Sequence, residues 1–275
     1  MSANLRTLNI AAAVIQGILA VFCIGWIVYS TTTGKDSSTP IPVVGGEFKP
    51  DGECGIIYES NANLIFGLLL AFTLVTMTFH ILYATNSFGY TALVASGNNY
   101  MRWIEYSISA TFMILVVAIS SGVAEFDSQL LIGVMTIGCM LMGNVVERAF
   151  QRHDRTDVIT GTFVGWILLV GAFVVIFRNF NTAATNPDAS QRPPEWIWAV
   201  VIVLFLFYSS FGAIQLTQVI MGKTDPTTNR TFEVVYTSNS MVSKATLVLL
   251  LFGGFVSRTV NEDSSTETPS TDSTK

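Results

Sequence analysis

The chain has 275 residues, of which 51% are hydrophobic and 12% are charged, and its formal net charge is -5. This composition is too apolar and too poor in charge for an ordinary soluble domain. The sequence shows no glycine-rich phosphate loop, no paired Cys-x-x-Cys motif and no basic patch for nucleic acid. A nucleotide, a metal, a nucleic-acid partner and conventional enzymatic catalysis are therefore not indicated.

Long apolar blocks recur along the chain, and each is long enough for the roughly 20 residues that cross a bilayer core as a helix. We predict an all-α membrane protein, a bundle of seven transmembrane helices in one domain covering residues 1–258. The acidic, Ser- and Thr-rich tail, residues 259–275, is expected to be disordered. The predicted spans are about 8–30, 60–84, 99–121, 128–147, 158–178, 196–221 and 232–256.

The only long connection between spans runs from Thr31 to Glu59, and its proline, glycine and β-branched residues favour short strands. We therefore expect a β-like first extracellular loop. Cys54 lies in this loop, whereas Cys23 and Cys139 lie inside spans and are expected to be small apolar fillers.

The orientation follows from the positive charges near the span ends. The totals on the two sides are nearly equal, but the short loop between the fourth and fifth spans carries Arg148, Arg152 and Arg155. Short loops count most in the positive-inside rule. We expect a cytoplasmic N-terminus and an extracellular C-terminus.

Two charged residues, Lys244 and Glu105, lie inside the spans and away from their ends. A cation near the middle of the membrane is costly and needs a partner. In one interpretation the two residues form a structural ion pair. In the other, Lys244 forms a Schiff base with an aldehyde and Glu105 neutralises the resulting cation.

The surroundings of Lys244 suggest a pocket for a flat, conjugated molecule. Ser240 precedes Lys244 by four residues and shares its helix face, so its hydroxyl can reach the lysine nitrogen. Each pocket residue taken singly is more often simple packing than a ligand contact. The candidates are Tyr106, Gly138, Met142, Trp166, Phe205 and Tyr208.

The segment RWIEYS, Arg102 to Ser107, and the segment SNSMVSK, Ser238 to Lys244, resemble the heliorhodopsins over about residues 5–258. Light-driven pumps of the related microbial rhodopsins usually have an aspartate where this chain has Ser240. The resemblance implies a retinal chromophore on Lys244, with Glu105 as the sole counterion and Ser240 beside the Schiff base. It also implies a homodimer in the bilayer and a slow photocycle.

The resemblance further implies an inner polar cavity, to which we assign His80 and Arg102 as the proton cluster. A lone histidine near a span end is more often a packing residue than a proton relay. Members of the family often have a second histidine on the first helix, where this chain has none and Cys23 is the nearest candidate.

The two halves of each span differ in polarity, which bears on the choice between a sensor and a transporter. The inner halves are polar, as in TMTFH and EVVYTSNSMVSK, whereas the outer halves are almost wholly apolar, as in FMILVVAIS and ATLVLLLFGGFV. A pump needs titratable or water-holding groups on both sides of its switch. We predict a photosensor that signals to a cytoplasmic partner. Light-driven or light-gated proton transport is the alternative.

Overall fold

A computed structural model describes the backbone of residues 3–34, 41–48, 54–60, 62–185 and 192–266. Within these residues, seven helices are long and apolar enough to cross a membrane. The predicted seven-helix bundle is confirmed, and the chain is an integral, multi-pass membrane protein. The helices are α1 (Ala3–Thr33), α2 (Ala62–Ala84), the short α3 (Tyr90–Ala95), α4 (Tyr100–Ser120), α5 (Phe126–Gln151), α6 (Arg155–Ala184), α7 (Ile197–Met221) and α8 (Pro226–Thr266).

Between α1 and α2 the described residues include two strands, β1 (Ile41–Phe48) and β2 (Cys54–Ser60), which pair antiparallel. The register shifts between Val43 and Val44 and again between Gly45 and Phe48. Such shifts are typical of an irregular, twisted hairpin. The placement of this hairpin outside the cell stays a prediction.

The last helix is longer at both ends than its apolar sequence suggests. It begins at Pro226, before the predicted start near residue 232. The Asp225 carboxylate accepts hydrogen bonds from the backbone amides of Thr227 and Thr228, both at 3.0 Å. Proline at the first helical position and a preceding aspartate cap are favourable helix starts. A further hydrogen bond from the Thr228 hydroxyl lowers the pKa of Asp225.

At its other end α8 continues to Thr266, so the predicted domain boundary at residue 258 falls inside a helix. Residues 267–275, most of the tail predicted to be disordered, lie outside the described residues.

The helices alternate in direction, and this gives the bundle two unlike sides. We call the side where α1, α4, α6 and α8 begin, and where α2, α5 and α7 end, the N-terminal side. Two contacts show the opposite directions of α1 and α2: Asn9 near the start of α1 meets His80 near the end of α2, and Ser30 near the end of α1 meets Asn63 at the start of α2. The most buried of the spans is α4, which packs against α2, α5 and α7.

Candidate functional site

Lys244 and Glu105 meet in the middle of the bundle. The Lys244 Nζ atom donates to Glu105 Oε1 at 2.5 Å and to the Thr76 hydroxyl at 2.7 Å. The side chain of Lys244 is 3% exposed and that of Glu105 is 1% exposed. The ring centre of Tyr106 lies 5.4 Å from the same nitrogen. The ammonium is therefore held by one carboxylate, one hydroxyl and the face of an aromatic ring.

A cavity opens directly beside Lys244 and follows one face of α4. Four of its lining residues on α4, Tyr106, Ser109, Ala110 and Met113, have the spacing of a single helix face. The remaining lining residues come from α5, α7 and α8: Met140, Tyr208, Phe211, Ser240, Ser243 and Lys244. The cavity thus has apolar and aromatic walls and is lined by the Lys244 amine, which Glu105 pairs with from behind the wall.

A second cavity continues from the first toward α6. The two cavities share Met140, Tyr208 and Phe211. The new lining residues lie on α4, α5, α6 and α7: Trp103, Cys139, Gly143, Gly161, Thr162, Gly165, Trp166, Leu169, Gly212 and Gln215. We call these two adjoining cavities the slot, which extends from Lys244 to the α6–α7 interface.

Glycines allow two tryptophans to line this slot. A Cβ atom at position 212 would lie 2.8 Å from the Trp166 ring, and one at position 143 would overlap the Trp103 ring. Any larger residue at either position would have to displace an indole ring. The slot therefore depends on Gly143 and Gly212, a feature typical of a site shaped for a flat ligand.

The structure brings four of the predicted cavity residues together with Lys244 and Glu105. Tyr106, Tyr208 and Ser240 line the first cavity, and Trp166 lines the second. The Tyr208 hydroxyl also donates to the Ala110 carbonyl at 2.5 Å, which fixes the ring across the slot.

Three other predicted residues do not line the slot. Phe205 packs edge-on against Phe173, with ring centres 5.1 Å apart. Met142 faces Gly165, and Gly138 faces Leu168, both across the α5–α6 contact. These residues have the right depth in the membrane but the wrong helix face.

Sequence reasoning missed Thr76, Met113 and Met140. Thr76 reaches the ammonium from α2, and Met140 joins the two cavities. The position of Thr76, four residues before His80 on the same face of α2, is the one signal that pointed to it.

A second group of buried charges lies nearer the N-terminal side. The Arg102 guanidinium contacts Glu233 through Nη1 and donates to Glu147 through Nη2 at 2.6 Å. The Trp103 indole also donates to Glu147, at 2.5 Å, and Asn99 donates to Glu233 at 2.9 Å. Lys244 and Glu105 are the charges predicted away from the span ends, and the structure adds three buried charges nearer those ends: Arg102, Glu147 and Glu233. The two glutamates lie near helix ends, where a solvated position is the ordinary expectation.

His80 belongs to a hydrogen-bonded chain that ends at this ion cluster. Its Nδ1 atom lies 2.8 Å from Asn9 Oδ1, and Asn9 Nδ2 donates to the Tyr90 hydroxyl at 3.3 Å. The Tyr90 hydroxyl in turn donates to Glu233 at 3.0 Å. The first-helix residue that meets His80 is thus Asn9. Cys23, the candidate taken from the sequence, lies instead in the apolar core.

The bundle on the other side of Lys244 is closed by apolar side chains. They include Leu247 and Leu251 on α8, Ile114 and Val117 on α4, and Phe66 on α2. Every buried charged side chain among the described residues lies at the level of Lys244 or on its N-terminal side: Arg102, Glu105, Glu147, Glu233 and Lys244. The polarity difference read from the sequence is present in the packed structure.

Solved structures place this architecture among the seven-helix rhodopsins. The transmembrane domain of the Salpingoeca rosetta rhodopsin phosphodiesterase matches with a TM-score of 0.64 at 12% identity, over 92% of this chain and 84% of that one. Exiguobacterium sibiricum rhodopsin matches with 0.56 at 12% identity, over 89% and 95%. A thermophilic rhodopsin matches with 0.58 at 10% identity, over 95% and 98%. At these identities the likeness shows the fold alone.

The family is shown by sequence. The heliorhodopsin family model matches residues 5–256, so the chain belongs to the heliorhodopsins. No curated protein sequence matches it with significant similarity. Retinal is the chromophore of this family and the cofactor of this chain. The lining suits such a molecule in its chemistry, because apolar and aromatic walls beside a primary amine suit a polyene aldehyde.

Proposed function

We propose that the chain is a light sensor in which all-trans-retinal is bound to Lys244 as a protonated Schiff base, with Glu105 as counterion. The observation that best supports this proposal is the buried pair of Lys244 and Glu105 beside an aromatic cavity. When bound, retinal supplies the light-absorbing polyene and changes shape on illumination. No enzymatic step is required of the protein.

The residues around the Lys244 amine have different roles. Glu105 supplies the single negative charge that a cation on the Lys244 nitrogen needs in this apolar setting. Thr76 holds the same nitrogen from α2. Ser240 lines the same cavity, but its hydroxyl has no hydrogen-bond partner among the described residues and does not bond to the Lys244 nitrogen. Tyr106, Tyr208 and Trp166 bound the slot and exclude water along its length.

The unequal sides of the bundle favour sensing over transport. A proton that leaves the Lys244 nitrogen meets buried polar groups toward the N-terminal side, including His80 and the Arg102 cluster. Toward the other side it meets apolar side chains. Light would thus drive a slow, internal proton movement, which a cytoplasmic partner or the second copy of a homodimer reads.

This signalling model includes the predicted orientation, with the N-terminus in the cytoplasm. Proton transport is the alternative, because the polar network on the N-terminal side would serve as one half of a pathway. Photocurrent measured under voltage clamp separates the two functions. A sustained current that disappears in Glu105→Gln would overturn the sensor.

The first test is a visible absorption spectrum of the protein produced with all-trans-retinal. The wild-type protein should show a visible band, and Lys244→Ala should lack it. Lys223→Ala is the matched control, because Lys223 lies exposed between α7 and α8 and should leave the band unchanged. A well-folded wild-type protein without a band, or a band that persists in Lys244→Ala, would refute the attachment.

A further inference from the structure

The short helix α3 lies on the N-terminal side between α2 and α4, and its first residue is buried. Tyr90 packs in a small core with Leu5, Tyr83 and Val94. Its ring stacks on Tyr83 with centres 4.5 Å apart. Its hydroxyl is bonded on both sides, to Asn9 and to Glu233. Tyr90 therefore anchors α3 to α1, α2 and α8 at once.

The hydrogen bonds through Tyr90 all run in one direction. Asn9 Oδ1 can only accept, so the hydrogen in its contact with His80 belongs to His80 Nδ1. Asn9 Nδ2 then donates to Tyr90, and Tyr90 donates to Glu233. The other ring nitrogen, His80 Nε2, is buried and has no hydrogen-bond partner among the described residues. That nitrogen is where the ring can take up a further proton.

The turns on either side set α3 apart from the long helices. Asn86 and Phe88 both have φ of 56°, and Gly89 and Gly97 both have φ of 67°. Left-handed backbone at a bulky residue is strained, and it persists only where other contacts hold it. Phe88 is also 65% exposed. The segment is held by the core packing of Tyr90 and Val94 and by hydrogen bonds that include those from Tyr90 and Asn99 to Glu233.

We propose that the stability of α3, at the N-terminal surface, changes with the protonation state of the buried site. We further propose that the Tyr90 hydroxyl couples the buried site to α3. This inference rests on the proposed light-sensing function. It goes beyond that function by naming the part of the molecule whose stability depends on where the proton resides.

The proton step is a transfer between two nitrogens. The N–H bond at the Lys244 nitrogen breaks, its electron pair stays on that nitrogen, and a new N–H bond forms at His80 Nε2. His80 contacts Asn9 on α1 and packs edge-on against Tyr83 on α2, and Lys244 is hydrogen-bonded to Thr76, one helical turn before His80 on α2. Glu105 takes no part in this transfer, and the positive charge moves from the Lys244 nitrogen to the imidazole of His80.

A charged imidazole donates more strongly through Nδ1 to Asn9. Hydrogen bonds in a chain strengthen one another, so the bonds from Asn9 to Tyr90 and from Tyr90 to Glu233 tighten as well. No proton is transferred through the Asn9 amide, which acts only through its position. The expected consequence is that α3 unfolds locally less often while the proton resides on His80.

Hydrogen–deuterium exchange of peptides covering residues 85–99 tests this link. Continuous illumination should slow amide exchange in α3 by about twofold or more, which is the lower end of coupling between residues of one hydrogen-bond network. Tyr90→Phe should remove that light effect. Tyr100→Phe, which deletes the hydroxyl of a tyrosine exposed at the start of α4, is the matched control and should retain it.

A second measurement uses the retinal-free protein and needs no photochemistry. His80→Ala should change the exchange of α3 in the wild-type background and have no effect in the Tyr90→Phe background. An equal effect of His80→Ala in both backgrounds would overturn the link. So would a wild-type protein that has its visible band and photocycle but shows the same α3 exchange in light and darkness. Loss of the visible band itself would instead count against the proposed function, and the retinal-free comparison would still decide the role of Tyr90.

Discussion

Glu105→Gln removes the charge that balances Lys244 while keeping the size of the side chain. The ammonium would retain only the Thr76 hydroxyl and the Tyr106 ring, because Nζ is buried and its contact with Glu105 is 2.5 Å long. Breaking a buried ion pair by changing one partner costs about 3–5 kcal/mol. At about 2–4 °C per kcal/mol for a chain of this size, the apparent midpoint of thermal unfolding should fall by roughly 10 °C.

The assay is thermal unfolding of the retinal-free protein in detergent, so the result does not depend on the chromophore. The double variant Lys244→Met with Glu105→Gln should recover most of the lost stability, since no buried charge is then left unpaired. Arg152→Gln is the control, because the Arg152–Asp157 pair is 3.4 Å long and its side chains are 59% and 50% exposed. Breaking that pair should change stability by no more than about 1 kcal/mol.

Equal unfolding midpoints for wild type and Glu105→Gln would refute the view that the two groups meet as charges. In the retinal-loaded protein the same substitution should shift the visible band strongly to longer wavelength, because the counterion is lost. It should also cause the band to disappear at a lower pH, since the carboxylate stabilises the protonated form. An unchanged spectrum and an unchanged pH response would exclude Glu105 as counterion.

Three further predictions concern the slot, the ion cluster and transport. Gly212→Ala should slow the uptake of all-trans-retinal several-fold, measured by the growth of the visible band, because the new methyl group displaces the Trp166 ring; Gly253→Ala, where a Cβ meets nothing within 4 Å, should not. Arg102→Gln should lower the unfolding midpoint at least as much as Glu105→Gln, because it leaves Glu147 and Glu233 buried without their cation. Voltage clamp of cells that express the wild-type protein should show no sustained photocurrent, and a steady current in darkness-subtracted traces would contradict the sensor.

The seven helices and the Lys244–Glu105 pair could be predicted from the sequence because each rests on a local signal. A block of about 20 apolar residues is sufficient to indicate a span. A charge in the middle of such a block is rare enough to be identified without knowledge of the packing. Both signals remain recognisable when the predicted helix boundaries are wrong by a few residues.

The slot and the second ion cluster needed the structure because they depend on which face each helix turns inward. Phe205 and Tyr208 have similar depth on α7, yet only Tyr208 reaches the cavity. Glu233 falls one residue inside the predicted seventh span, where a solvated carboxylate is the ordinary expectation. It is buried because α8 starts at Pro226 and because Tyr90, Asn99 and Arg102 all contact it.

The balance of buried charge supplies a physical reason for the proposed internal proton movement. The buried charged side chains of the described residues comprise the cations Arg102 and Lys244 and the carboxylates Glu105, Glu147 and Glu233. By formal charge these side chains carry one negative charge in excess, and Glu147 and Glu233 lie on the N-terminal side of Lys244, with Glu233 about 16 Å along α8 from the lysine. In a medium of low dielectric this excess attracts a mobile proton over such a distance. The same field resists release of that proton toward the apolar half, so the charge pattern favours retention and return over transport.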